Sequence, residues 1–349
     1  MGDTVKNLCI RVPLDKGEEI RLDLLRREML RDDLKVKHDE QFVYLPLKKG
    51  DNDIKDYKVG YMDFKRIDRH KRLYYKEIIR IPGRLKKYLP SSYDIIGDMI
   101  LIKIPEELEK YKSRIGESLI QANKHAKVVC SIRPVKGELR LRDVEIIAGE
   151  KRTETIHREY GLVFKLDIRK TYYSPRLANE RRCIASMVKP GEIIVDMFTG
   201  VAPFPIMIAK YAEPRIIYGI DKNADAIRYA EYNIRVNKVH DKVELINIDA
   251  CMAKKELDSR MVKADRVIMN LPFQAYRFFD EALDIIKDKA MIHYYDIIRE
   301  EDVPTRLDYL KSSASEKSIS IEPLAIRRIK TYSPREFYIG VDIQATKKI

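Results

Sequence analysis

Between residues 192 and 273 the apolar positions gather into four short runs, and each run ends on an acid or an amide. Ile193-Ile194-Val195 stops at Asp196, Ile216 to Ile220 at Asp221, Val243 to Ile248 at Asp249, and Arg266 to Met269 at Asn270. Runs of this kind are expected as strands buried on both faces of a parallel sheet. Between them the spacing lengthens to a helical period, as at Ala226, Ile227, Ala230 and Ile234, which predicts a helix over 223–233. The first two acids lie 221 − 196 = 25 residues apart, the length of one βαβ unit. Ligands of such sheets bind in the crevice at the carboxyl ends of the strands, so these four strand ends form the candidate site.

Upstream, strands are expected at Asn7 to Val12 and Gln41 to Leu47 around a helix from Glu18 to Leu30, with Ile20, Leu24, Leu25 and Met29 on its apolar side. This predicts a small basic α/β module over 1–65. A basic linker is expected over 63–76. Strands at Met99 to Ile104 and Val128 to Ile132 flank a helix opened by Pro105 and carrying Leu108, Ile115 and Leu119, and a further strand runs from Leu162 to Ile168. These elements predict a second α/β domain over 78–170, leaving 171–349 as the third. There, Asn179-Glu180-Arg181 opens a helix that runs to Met187 and delivers the chain to the first core strand. A helix over 275–286, a strand over 290–295, a helix over 301–312 and a closing pair of strands at 326–329 and 337–343 complete the pattern.

Lys and Arg number 68 against 55 Asp and Glu, a net charge of +13 with pI ≈ 9.3. That excess favours a polyanionic partner, most commonly nucleic acid, while 35% charged residues also suits the ion-pair networks of heat-adapted proteins. The 21 tyrosines supply faces on which bases can stack. Cys9, Cys130, Cys183 and Cys251 are scattered without a CxxC pair, so no metal site is expected. With no signal peptide and no apolar run of membrane-spanning length, a cytoplasmic chain without membrane contact is expected.

The turn after Asp196 is TGVAPFP rather than GxGxxG. Gly200 lets a ligand approach the backbone, but Pro203 and Pro205 lack the N–H donors that a phosphate cradle uses. A nucleoside without phosphates fits better, and S-adenosylmethionine is the obvious candidate. Asp221 is placed to hold ribose hydroxyls and Asp249 to meet the adenine edge. Asn270-Leu271-Pro272-Phe273 resembles the Asn/Asp-Pro-Pro-aromatic element of S-adenosylmethionine-dependent methyltransferases that modify nitrogen. Glu180, near the mouth of the crevice, is either a proton acceptor or a helix-start acid favoured by the dipole.

Taken together, VKGELRLRDVEIIAGEKRTETIHREYG, YYSPRLANER, DMFTGVAPF, GIDKNADAI, NLPFQAYRFFD, IHYY and YSPREFYIGVDI resemble the archaeal tRNA guanine-N1 methyltransferases, which act on the purine just 3′ of the anticodon. The resemblance implies an α/β fold, a class I Rossmann-like core with a mostly parallel seven-stranded sheet and two smaller N-terminal α/β domains. It implies a metal-free monomer that takes S-adenosylmethionine as cofactor and tRNA as partner. The N-terminal module would grip the outer corner of the tRNA, and the other domains the anticodon stem and loop. By position in the motifs, Glu180 matches the general base, Arg140 the arginine facing the guanine carbonyl, and Asn270 the base-orienting amide. Tyr172 and Pro272 match positions that place the cofactor or the flipped base. Arg181, Asp196, Phe198, Gly200, Val201, Asp221, Lys222, Asp249 and Ala250 fall on the cofactor side. The extra proline, Pro205, departs from the simpler FAGVGPFS pattern. It resembles a subgroup that also methylates carbon 7 of the tricyclic wyosine precursor 4-demethylwyosine, so a bifunctional enzyme is the alternative, ahead of a non-catalytic tRNA-binding protein.

Overall fold

The computed structural model describes residues 4–39, 41–48, 57–66, 74–133 and 141–348, and the chain forms two compact units, Met1–Tyr74 and Tyr75–Ile349. In the first, β1 (Thr4–Pro13), α1 (Gly17–Arg26), β2 (Lys37–His38), β3 (Phe42–Pro46) and β4 (Lys58–Lys65) build an antiparallel sheet in the order β2-β3-β1-β4. Ile10, Val12, Leu24, Leu30, Leu45 and Leu47 make its core. The helix stops four residues before the expected Leu30. Glu28 adopts φ +56, the N–H groups of Met29 and Leu30 turn back to the Leu24 carbonyl, and Leu30 bridges to Leu47 instead. The expected linker also begins too early, because Asp63 to Lys65 belong to β4, where they pair with β1.

The second unit opens with the single turn α2 (Tyr75–Ile78), followed by β5 (Asp94–Ile96), β6 (Met99–Ile102), α3 (Lys112–Ala122), β7 (Val128–Ile132) and β8 (Val144–Gly149). These strands form one sheet, β5-β6-β7-β8, in which only β6 and β7 are parallel. Ile115 and Leu119 of α3 pack on Ile100, Ile102 and Val129. A hairpin, β9 (Glu154–Glu159) and β10 (Leu162–Asp167), follows.

The remaining elements are α4 (Ala178–Met187), β11 (Ile193–Asp196), α5 (Pro203–Tyr211), β12 (Ile216–Ile220), α6 (Ala224–Val236), β13 (Val243–Ile246), α7 (Ala253–Ser259), β14 (Ala264–Met269), α8 (Phe279–Asp284), β15 (Ile286–Arg299), α9 (Val303–Glu316), β16 (Ile319–Ser333) and β17 (Glu336–Lys347). Their seven-stranded sheet runs β13-β12-β11-β14-β15-β17-β16. Strands β11 to β15 are parallel and β17 is antiparallel to both its neighbours, so the mostly parallel α/β sheet expected from the sequence is present. Apolar residues cover both faces, as buried parallel strands require. The hairpin is tied to this core by two buried amides one helical turn apart, Asn233 on α6 and Asn237 at its C-terminal cap. Asn233 bonds both the N–H and the carbonyl of Lys165, and Asn237 does the same for Val163. The exposed edge of β10 is thereby satisfied by a helix rather than by another strand.

Candidate active site

Strand order reverses at β11, with β12 and β13 on one side and β14 and β15 on the other. A crevice opens at that switch point. After Asp196 the backbone turns sharply, with Gly200 at φ +54 and Ala202 at φ +63. Pro203 and Pro205 both lie in the first turn of α5, and Ile206 N–H is already bonded to the Ala202 carbonyl. The helix therefore presents Phe204 as its one remaining early N–H donor, too few for a phosphate cradle.

The crevice holds about 120 Å³ and is lined by Tyr172, Arg181, Phe198, Gly200, Asp221, Lys222, Asp249, Ala250, Asn270 and Pro272, all expected from the sequence, and by Tyr173, Ser174, Thr199, Pro203, Leu271, Gln274 and Phe278, which were not. Phe198 and Phe278 meet edge to face at 5.3 Å and make an apolar wall. Asp221 accepts hydrogen bonds from the N–H of Gly200 (2.7 Å) and Asn223 (2.9 Å). Burial pushes its carboxyl above the usual range, against these two bonds. Asp249 also feels burial, but the N–H and thiol of Cys251 and the charge of Lys222, 3.4 Å away, hold it below that range. The two carboxylates stand at neighbouring strand ends with an apolar wall beside them, the donor set that a ribose and an adenine require.

Two expected cofactor contacts lie underneath instead. Val201 packs in the core. Asp196 is buried below the turn, where loss of solvent raises its carboxyl to about 7 and nearby Asp221 adds to the shift. Its Oδ2 and the Oγ1 of Thr199 find no hydrogen-bond partner among the described residues. Arg181 lines the crevice, yet its guanidinium is engaged behind the wall. It grips Glu159 of β9 with Nε (2.7 Å) and Nη2, and reaches the Ser174 carbonyl. Tyr173 donates to the same Glu159 at 2.7 Å. The fully buried Arg181 thus shapes the Tyr172–Pro175 wall from behind.

Asn270 sits at the crevice floor and accepts a hydrogen bond from the Tyr338 hydroxyl. Phe273, at φ +71, is fixed by its N–H bond to Asp296 (3.0 Å). Glu180 does not line the crevice. It is buried behind it, accepting from Tyr295 (2.9 Å) and from Arg327 (2.8 and 3.4 Å). The rings of Tyr295 and Tyr338 stand 6.2 Å apart, so one aromatic pair separates Glu180 from Asn270. Arg140 lies outside the described residues.

Tyr172, Pro272 and Gln274 also line a second groove of about 530 Å³ between the β5–β8 sheet and the core. It carries Lys103, Arg133, Arg142, Arg176 and Lys330 together with Tyr93, Phe273 and Tyr332. Arg142 lies over the Tyr172 ring at 5.1 Å, and Phe273 meets Tyr332 at 5.3 Å. Cations interleaved with aromatic faces suit single-stranded nucleic acid.

Comparison with known proteins agrees with this geometry. The TRM5/TYW2 methyltransferase domain matches residues 155–322, the TYW2 N-terminal domain 75–153 and the tRNA methyltransferase 5 N-terminal domain 9–55. The tRNA (guanine(37)-N(1))-methyltransferase Trm5b of Pyrococcus abyssi is 38% identical over 341 residues, covering 97% of this chain and 99% of that protein. The chain belongs to the TRM5/TYW2 methyltransferase family. The crystal structure of that Pyrococcus abyssi protein superposes with TM-score 0.70 at 37% identity, covering 97% of this chain and 99% of that one. A complex of aTrm5 with tRNALeu gives 0.67 at 36% identity, with the same coverage of each chain. Methanocaldococcus jannaschii Trm5 in complex with adenosine gives 0.64 at 33% identity, covering 98% of this chain and all of that one.

Proposed function

We propose that this chain transfers a methyl group from S-adenosylmethionine to N1 of guanosine 37 in tRNA. The observation that carries the reading is the shared wall. Tyr172, Pro272 and Gln274 border both the nucleoside-sized crevice and the basic, aromatic groove, so a base entering from the groove meets the crevice at Asn270. The relatives named above are tRNA (guanine(37)-N(1))-methyltransferases, and solved ones are described with adenosine and with tRNALeu.

The residues fit the cofactor. Asp221 would take ribose hydroxyls, Asp249 and the backbone at Ala250 would face the adenine, and Phe198, Leu271 and Phe278 would enclose it, all of them lining the crevice. When bound, S-adenosylmethionine supplies a methyl group on a sulfonium. Guanine N1 carries a proton and is a poor nucleophile until that proton leaves. Glu180 is the acceptor, moving from its contacts with Tyr295 and Arg327 toward the base. Asn270 orients the base edge, and Arg140 stabilises the charge that develops on O6. Turning a base out of a loop costs less than from a duplex, and the groove offers stacking faces for its neighbours. The N-terminal unit serves as the grip on the outer corner of the tRNA. Pro205 is buried in α5 and does not line the crevice, so the geometry gives no separate support to a second methylation.

The test is incubation with labelled S-adenosylmethionine and tRNA transcripts bearing G or A at position 37. Label in the G37 transcript alone supports the reading, whereas equal label in both, or none, contradicts it.

A further inference from the structure

Glu180 stands at one end of a buried row of alternating charges. Arg327 of β16 donates to Glu180 and also to both oxygens of Asp342 of β17. Asp342 and His293 Nδ1 of β15 lie 2.6 Å apart, and His293 Nε2 lies 2.6 Å from Arg266 Nη1 of β14. Arg266 forks onto Glu192 (2.7 and 3.0 Å) and donates to the carbonyl of Met187 at 2.9 Å. The row therefore passes beneath α4, from its first turn at Glu180 to its last residue, Met187.

The guanidinium of Arg266 can only donate, so His293 Nε2 must be the acceptor and the ring proton sits on Nδ1, facing Asp342. A neutral imidazole fits its complete burial, which lowers its affinity for a second proton. Among the described residues, the three carboxyl groups of Glu180, Asp342 and Glu192 pair with two guanidinium groups, those of Arg327 and Arg266. Other groups around Glu180 are Cys183 on its own helix, the Tyr295 hydroxyl from β15 and, beyond it, Tyr338 from β17. Neither Arg327 nor Asp342 lines the crevice or the groove.

We propose that Arg327 and Asp342 are positioning residues that set the proton-accepting strength of Glu180 in opposite directions. Arg327 holds the Glu180 carboxyl group against Tyr295 through two hydrogen bonds. Asp342 takes part of the same guanidinium, leaving Glu180 only partly compensated. The inference rests on Glu180 being the base. With Asp342→Asn, the whole Arg327 charge falls on Glu180 and makes it a weaker acceptor. With Arg327→Gln, two buried carboxylates lose the cation they share, which makes Glu180 a stronger acceptor.

The experiment is single-turnover methyl transfer to a G37 transcript as a function of pH, with S-adenosylmethionine affinity measured alongside. Asp342→Asn is expected to move the acid limb to lower pH with a lower plateau, and Arg327→Gln to move it to higher pH, each by about one pH unit. Arg327→Lys, which keeps the charge but loses the fork, is expected to leave the limb in place and lower the plateau. Cofactor affinity stays within twofold throughout. Should Arg327→Gln fail to fold, Asp342→Asn and Arg327→Lys still decide the matter. Limbs that do not move, or that move the same way, overturn the proposal while an inactive Glu180→Gln leaves the base assignment standing. A Glu180→Gln enzyme with wild-type rate and an intact acid limb removes the base assignment itself, and the proposal with it.

Discussion

Tyr295 donates a 2.9 Å hydrogen bond to Glu180 from a strand 115 residues further along the chain. The bond joins α4 to the sheet directly behind Asn270, and both partners are buried. Removing the hydroxyl with Tyr295→Phe leaves Arg327 as the remaining donor. A hydrogen bond to a charged group contributes about 1.5–3 kcal/mol, so the rate of methyl transfer should fall roughly 10- to 100-fold. S-adenosylmethionine affinity should not change, since Tyr295 lies outside the crevice. Single-turnover rates and calorimetry together check this, and an unchanged rate would separate Glu180 from the chemistry.

Asp221 both holds the Gly200 turn and offers a carboxylate to the ligand. Asp221→Ala should weaken S-adenosylmethionine binding by about 10- to 100-fold, the range for loss of a hydrogen bond to a charged group. Adenosine should lose the same factor, because the ribose is common to both. Calorimetry with the two ligands tests the assignment, and a loss confined to S-adenosylmethionine would place Asp221 near the methionine part instead.

The crevice was legible in the sequence because strands that end on acids carry both signals in adjacent residues. Asp221, Asp249 and Asn270 follow directly on apolar runs. What lay hidden depends on register. Arg327, Asp342, His293 and Arg266 sit on four different strands, and only the pairings Arg266↔Met291, His293↔Asp342 and Arg327↔Gly340 bring them into one row. Nothing local distinguishes Arg327 from Arg328. Glu159 escaped notice for the same reason, since its partner Arg181 comes 22 residues later. β4 was masked by composition, its charged residues having the look of a linker. Val201 followed a motif that is right for the backbone of the turn but not for where that side chain points.

Gly219 of β12 passes close beneath the turn. A Cβ there would lie 2.9 Å from Thr199 Oγ1 and 3.0 Å from Leu245 Cδ2, closer than packed atoms tolerate. Gly219→Ala should push the 198–200 turn out of place, costing about 1–3 kcal/mol as overpacking does and weakening cofactor binding by tenfold or more. Thermal melts with and without S-adenosylmethionine check it. The ligand-induced rise in melting temperature should shrink in the variant.

Asp196 makes stability depend on pH. Its carboxyl is raised to about 7 in the fold against about 3.9 in the unfolded chain, so the folded state binds the proton more tightly. That contribution is fully present below about pH 4, declines as pH rises toward 7, and is gone above it. Asp196→Asn, which carries no charge to bury, should therefore gain on the wild type across that window by a total on the order of 4 kcal/mol. Denaturant melts of both proteins from pH 4 to 8 measure the difference, and a gap that does not widen with pH contradicts the burial of an ionisable Asp196.

The transferred methyl group goes to one atom of one nucleotide, and on N1 it blocks the pairing edge of guanine. Primer extension on a G37 transcript after incubation with the protein and S-adenosylmethionine reads that edge directly. The expected result is a new stop immediately 3′ of position 37 that appears only with cofactor and is absent from an A37 transcript. Methyl incorporation accompanied by full read-through, or a stop at any other nucleotide, would contradict the account.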